Sequence, residues 1–314
     1  MRLTKFSKSD RYYLTDGGLE TFMVFDKGYD LPCFSAAVLL ETEDGRAELN
    51  AYFDRFIGLA KADERGYVLD VPTWRSGMAW AEALGKSAAE QMQVNTDAVR
   101  FVEAIRARHE AEACPILLNG LVGPAGDAYA PGTLLSEDEA LDTHTPQIAA
   151  LAGAGVDLIS ALTLTHAEEA VGIVRAAQKA NAPVAIAFTL ETDGHLPSGQ
   201  PLGEAIAQVD GATENGPIYY MINCAHPDHF HDKLSGGSDW LRRIGGLRCN
   251  ASRLSHAELD AAEELDDGDP QELGRLNADL LEMLPNVRVF GGCCGTDHRH
   301  VECMSHHASD QRAA

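Results

Sequence analysis

Long apolar runs are missing from this chain of 314 residues, and no stretch approaches the eighteen or more apolar residues of a membrane span. The opening segment, MRLTKFSKSDRYYLTDGG, has no apolar core of the kind a secretory signal requires, so a cytoplasmic location is expected. Basic residues are scarce: 25 Lys and Arg stand against 48 Asp and Glu, for a formal net charge of −23. Such a balance repels nucleic acid and anionic membrane surfaces, and both are excluded as expected partners. It favours solubility, leaves a homo-oligomer open, and names no function. No Pro/Gly/Ser linker, short repeat or low-complexity tract divides the chain, so one domain over residues 1–314 is expected. The densest acidic run, SHAELDAAEELDDGDP (255–270), reads as a solvated helix and loop. Seven cysteines, an odd count in a reducing compartment, argue against a disulfide framework. Where they cluster, metal binding or catalysis is the better reading.

What the sequence does contain is a recurring pattern of a short apolar run, a polar or glycine-rich end, and a longer amphipathic stretch. The apolar runs fall at 12–18, 67–73, 116–123, 156–163, 183–190, 218–225, 244–250 and 287–292. Helical patterns fill the intervals at 48–66, 96–113, 136–155, 165–180 and 269–285. Strands of buried type alternating with helices imply right-handed crossovers and a parallel sheet. Eight such units in this length predict an α/β fold of the closed (β/α)8 TIM barrel type, with a doubly wound open sheet as the alternative. Barrel active sites gather at the C-terminal ends of the strands. That rule would bring Asp16, Gly17 and Gly18 (strand one), Thr73 (strand two), Cys224 (strand six) and the adjacent Cys293 and Cys294 (strand eight) to one mouth.

Adjacent cysteines among glycines, VRVFGGCCGT (287–296), ask for a chemical reason. Three thiolates from two strand ends suit a soft tetrahedral ion, and zinc is the natural choice. Gly291, Gly292 and Gly295 would let the backbone aim both neighbouring sulfurs at one ion, with Thr296 as candidate cap of the following helix. Zinc and three thiolates sum to a charge of −1, a weak Lewis acid for hydrolysis but a good holder of a fourth, substrate thiolate. A vicinal redox pair is the competing reading. Cys33, Cys114, Cys249 and Cys303 read as structural, and the histidines of CAHPDHFHDKL and TDHRHVECMSHH as surface or loop residues.

These segments resemble the homocysteine S-methyltransferase family over nearly the whole chain. The resemblance rests on DGG (16–18), PTWRS (72–76), GLVGPAGDAY (120–129), AGAGVDLIS (152–160), FTLETDGHLPSG (188–199), NCAHP (223–227), GLRCNA (246–251) and GGCCGTDHRH (291–300). It implies a (β/α)8 barrel with zinc (Zn2+) on Cys224, Cys293 and Cys294, and transfer of a methyl group from an onium donor to homocysteine, giving methionine. It also implies that Asp16, with Gly17 and Gly18, holds the amino-acid part of homocysteine and that Thr73 lies in the same pocket. One position departs from the pattern: where many members carry a strand-four glutamate for the substrate ammonium, this chain has Leu162. Either Asp16 carries the ammonium alone or the acceptor is a different thiol. No cobalamin or folate domain fits beside a complete barrel in this length, which favours a small free cationic donor: a sulfonium such as S-methylmethionine, or betaine. Trp74, Tyr129 and Glu191 are candidates to meet that cation.

Overall fold

The computed structural model describes residues 2–129, 132, 134–235 and 237–313. Its strands are β1 (Tyr13–Leu14), β2 (Gly66–Val71), β3 (Ile116–Val122), β4 (Leu158–Leu164), β5 (Val184–Phe188), β6 (Tyr219–Asn223), β7 (Ile244–Cys249) and β8 (Val289–Gly292). Each pairs in parallel with the next, and β1 also pairs with β8, closing the barrel in sequence order. The expected closed barrel is therefore the fold, and the open sheet is excluded.

Every strand residue is buried, because one face of each strand packs on helices and the other fills the barrel. The inner layer includes Tyr13, Val68, Leu117, Leu158, Ala185, Tyr219, Met221 and Val289, with Leu3 and Phe6 of the helix Arg2–Ser7 packed against it. Phe6 meets Tyr13 edge to face at 5.0 Å, closing the end of the barrel opposite the strand C-termini.

The helices differ from expectation mainly at their starts, where capping chemistry outweighs apolar periodicity. The helix expected from residue 96 runs Ala88–His109, because Ser87 and Glu90 form a capping box. The one expected from residue 48 runs Glu43–Ala62, because Thr42 accepts from the Gly45 N–H. The helices Glu137–Ala154, Ala167–Lys179 and Pro270–Met283 lie close to their expected bounds. After β8, Asp297 rather than Thr296 accepts the Arg299 N–H and starts the helix His298–Ala313; the Thr296 hydroxyl donates to the Cys293 carbonyl. No helix among the described residues is long and apolar enough to cross a membrane.

Candidate active site at the barrel mouth

Three strand ends build the floor of the mouth. β1 leaves its ladder early, yet Thr15 N–H donates to Phe290 O and Gly292 N–H to Asp16 O, so the segment stays pinned beside β8. At Gly18 the chain passes so close to β8 that an added Cβ would lie 2.6 Å from the Cys293 carbonyl oxygen. Only glycine permits that approach. Cys224 directly follows β6 in the left-handed region, with φ 56°, and its N–H donates to Arg248 O. Asn223 braces this turn from below: its Oδ1 accepts from Thr163 N–H at 2.9 Å and its Nδ2 donates to Thr163 Oγ1 at 2.8 Å. Cys293 and Cys294 follow β8, and Gly295, with φ 76°, turns the chain away from them.

The result is a cluster in which the sulfurs of Cys224, Cys293 and Cys294 all lie within 4.8 Å of one another. Cys224 Sγ and Cys294 Sγ are 3.6 Å apart. Tetrahedral zinc with bonds of about 2.3 Å needs ligand sulfurs about 3.8 Å apart, so the donor set and its spacing fit that ion. The thiols of the cluster share hydrogen bonds. Hydrogen bonds with Cys224 and Cys294, helped by the charge of Arg248, pull Cys293 well below the ordinary thiol range, while hydrogen bonds with Cys293 and Cys294, together with burial, push Cys224 well above it. Such a trio cannot ionise fully on its own; a divalent cation is what would stabilise three thiolates together.

Tyr129, from the segment after β3, reaches over the same sulfurs. Its hydroxyl lies 3.0 Å from Cys224 Sγ and donates to Cys294 Sγ at 3.3 Å. Burial keeps the phenol protonated, raising its pKa well above the usual value. The ring stacks on His256 at 4.4 Å with planes 7° apart, and His256 in turn meets Cys224 O at 3.0 Å and Glu191 at 3.1 Å. Tyr129 thus faces the thiols with its polar end, while Glu191 is spent on His256.

Beside the sulfurs opens a cavity of about 380 Å³ whose wall includes Asp16, Gly17, Gly18, Glu20, Trp74, Arg75, Tyr129, Leu162, Arg248 and the three cysteines. Asp16 is not free within it. Its carboxylate receives Arg248 Nη2 at 2.5 Å, while Arg248 Nη1 pairs with Asp70 and Nε donates to Gly292 O. Burial pushes the Asp16 carboxyl up, with Asp70 adding to the rise and Arg248 opposing it. Leu162 presents an apolar side chain to the cavity.

Thr73, expected in the substrate pocket, stands behind its wall. It is fully buried, and its hydroxyl donates to Leu121 O at 2.8 Å to tie β2 to β3. The same segment reaches the cavity through Trp74 and Arg75 instead.

Comparison with known proteins adds an independent line. The homocysteine S-methyltransferase family model matches residues 13–308. The chain belongs to the homocysteine S-methyltransferase family. A homocysteine S-methyltransferase of Escherichia coli K12 is 30% identical over 228 residues, 65% of this chain and 69% of that protein. Homocysteine S-methyltransferase YbgG of Bacillus subtilis 168 is 25% identical over 195 residues, 58% of each chain. The homocysteine methyltransferase MmuM of E. coli, solved in metallated form, superposes with a TM-score of 0.72 at 21% identity, covering 98% of this chain and 99% of that one. Its oxidised form gives a TM-score of 0.71 at 22% identity, with the same coverage. At that identity these structures speak for the fold, a (β/α)8 barrel.

Within this family barrel, several site residues carry no mark in the sequence. Asp70 and Arg248 are lone charges in apolar strands, YVLDV and IGGLRC, and that interruption is the one signal that could have singled them out. His256 sits in the acidic run 255–270, read as solvated surface. The structure places Leu259, Asp260, Glu264, Leu265 and Asp266 of that run on the cavity wall. Among the described residues the cysteine trio is the sole metal-competent cluster of His, Cys, Asp and Glu. Cys249 stays apart, buried, with its thiol pushed up to about 12 by that burial.

Proposed function

We propose that this chain moves a methyl group from a small onium donor to the thiol of homocysteine, giving methionine, with zinc held by Cys224, Cys293 and Cys294. The observation that carries the proposal is the sulfur trio on the wall of a closed-barrel cavity, at the spacing a tetrahedral ion needs. Bound zinc would keep the acceptor sulfur in its thiolate form at neutral pH. The reaction then balances simply: the thiolate forms an S–C bond to the methyl carbon, the bond from methyl to the donor heteroatom breaks, and its electron pair leaves with a now neutral donor. No strong general acid is required.

Magnitudes say which contribution dominates. A free thiol of pKa about 8.5 is a few per cent ionised at pH 7, so complete ionisation supplies about 2 kcal/mol. Holding both reactants in line supplies up to roughly 7–11 kcal/mol. Positioning by the cavity wall is therefore the larger task. Asn223 and Gly18 fix the backbones that carry the sulfurs, and Tyr129 donates a hydrogen bond to the cluster. Asp16, held by Arg248, offers its remaining acceptor capacity to the substrate amino group. Trp74 lends an aromatic surface beside the apolar Leu162 for a cationic methyl donor.

The test is methionine formation by reduced, zinc-loaded protein given homocysteine and, separately, S-methylmethionine, S-adenosylmethionine, dimethylsulfoniopropionate or betaine. Methionine with one donor identifies that donor and shows that Leu162 is compatible with homocysteine. No methionine from any of them, at one zinc per chain, defeats homocysteine methylation from this donor set.

A further inference from the structure

Arg75 has no role in the reading above, and its surroundings are unusual. It is 6% exposed, yet no described carboxylate forms an ion pair with it. Its guanidinium lies between two indoles, 4.4 Å from the Trp74 ring centroid and 3.9 Å from that of Trp80. Two indole rings thus pack against the guanidinium, and its polar edge remains. On that edge Nη1 donates to Gly126 O at 2.9 Å, and Nε is buried without any hydrogen-bond partner. Of the cavity carboxylates, Asp16 and Asp70 pair with Arg248, while Asp127 and Glu20 favour the Arg75 cation by their charge without forming an ion pair with it. A buried guanidinium left with an unsatisfied donor is costly unless something completes it. Arg75 lines the cavity that holds the sulfurs, so a substrate there comes within reach of its guanidinium.

We propose that Arg75 is the carboxylate-recognition residue of this cavity, receiving a substrate carboxylate on its free edge. The planar fork of arginine matches a carboxylate in two parallel hydrogen bonds, and the flanking indoles hold the fork in one plane. The inference rests on the methyl-transfer reading, in which both substrates are candidates to bring that group: the α-carboxylate of the amino-acid acceptor, or a carboxylate on the onium donor. Either would bind without altering the sulfur chemistry, so Arg75 acts on affinity and alignment.

The experiment is calorimetric binding to the reduced, zinc-loaded full chain, in the native sequence, Arg75→Gln and Arg75→Lys. Two matched ligand pairs are used. Homocysteine is compared with 3-aminopropane-1-thiol, which lacks its carboxylate, and dimethylsulfoniopropionate with ethyldimethylsulfonium. The native protein is expected to prefer the carboxylate-bearing member of one pair by roughly 30-fold or more. Arg75→Gln is expected to erase that preference while leaving affinity for the carboxylate-free member unchanged. Arg75→Lys, which keeps the charge but not the fork, should fall between and serves should the Gln variant not fold. Collapse in the first pair assigns the carboxylate to the acceptor, and collapse in the second to the donor. A native protein without preference in either pair, or a preference that survives both substitutions, overturns the proposal. Binding needs no turnover, so failure of methyl transfer would count against the reaction and leave this result standing.

Discussion

Replacing Arg248 by methionine removes the cation that pairs with two buried carboxylates. The side chains of Arg248, Asp16 and Asp70 are 6%, 3% and 2% exposed, so water cannot take over the role. At an effective dielectric near 20, charge centres about 4 Å apart attract by about 4 kcal/mol per pair, and desolvation offsets much of this in the intact triad. The offset vanishes when the cation is lost, since both carboxylates remain buried and now repel each other. Breaking a buried pair in this way typically costs about 3–5 kcal/mol. For a chain of this length that corresponds to a fall in Tm of roughly 5–8 °C. The assay is thermal unfolding of reduced protein at matched zinc content, because ligand bound only to the folded state raises Tm by itself. Adding Asp16→Asn and Asp70→Asn to Arg248→Met should recover at least half of the loss. A single variant melting within 1 °C of the native protein would refute the account of the triad, as would a triple variant no better than the single one.

Further outcomes can be checked directly. Cys224→Ser should lower bound zinc from one per chain to well below half at low micromolar metal, read by a colorimetric chelator; full retention would remove Cys224 from the ligand set. Gly18→Ala puts a methyl group 2.6 Å from Cys293 O and should cost about 1–3 kcal/mol in chemical denaturation while weakening zinc binding. Unchanged stability and zinc content would mean that the approach of β1 to β8 is not tight. Glu169 accepts from Ala125 N–H at 2.7 Å and from His144 at 2.9 Å. Burial alone would raise its carboxyl, but those hydrogen bonds and the histidine charges hold it below the ordinary 4.5. Its contribution is therefore present above that value and is lost as pH falls through the lower folded-state pKa. Glu169→Gln should cost about 1–3 kcal/mol at pH 7 and flatten the loss of stability below pH 4.5. An acid limb as steep as that of the native protein would exclude the pairing.

The sequence by itself determined the barrel and the sulfur trio, because both are written in local pattern. Alternating apolar runs and amphipathic helices leave few closed topologies. A Cys-Cys pair among glycines, matched by Asn-Cys at another strand end, has few uses besides gathering sulfur. Leu162 stood out only against the family resemblance, which implies a glutamate at that place. The tertiary structure alone decided what depends on register and on which face of a strand or loop a side chain takes. Thr73 turns into the β2–β3 seam and leaves the cavity to Trp74 and Arg75. Asp16 is paired because Asp70 and Arg248, 54 and 232 residues away along the chain, point into the same end of the barrel. The acidic run, soluble-looking by composition, lies on the cavity wall, and its His256 supports Tyr129 over the thiols. Local propensity cannot encode these placements: charge pairing and burial are properties of distance in space, and closure of the barrel is what sets those distances.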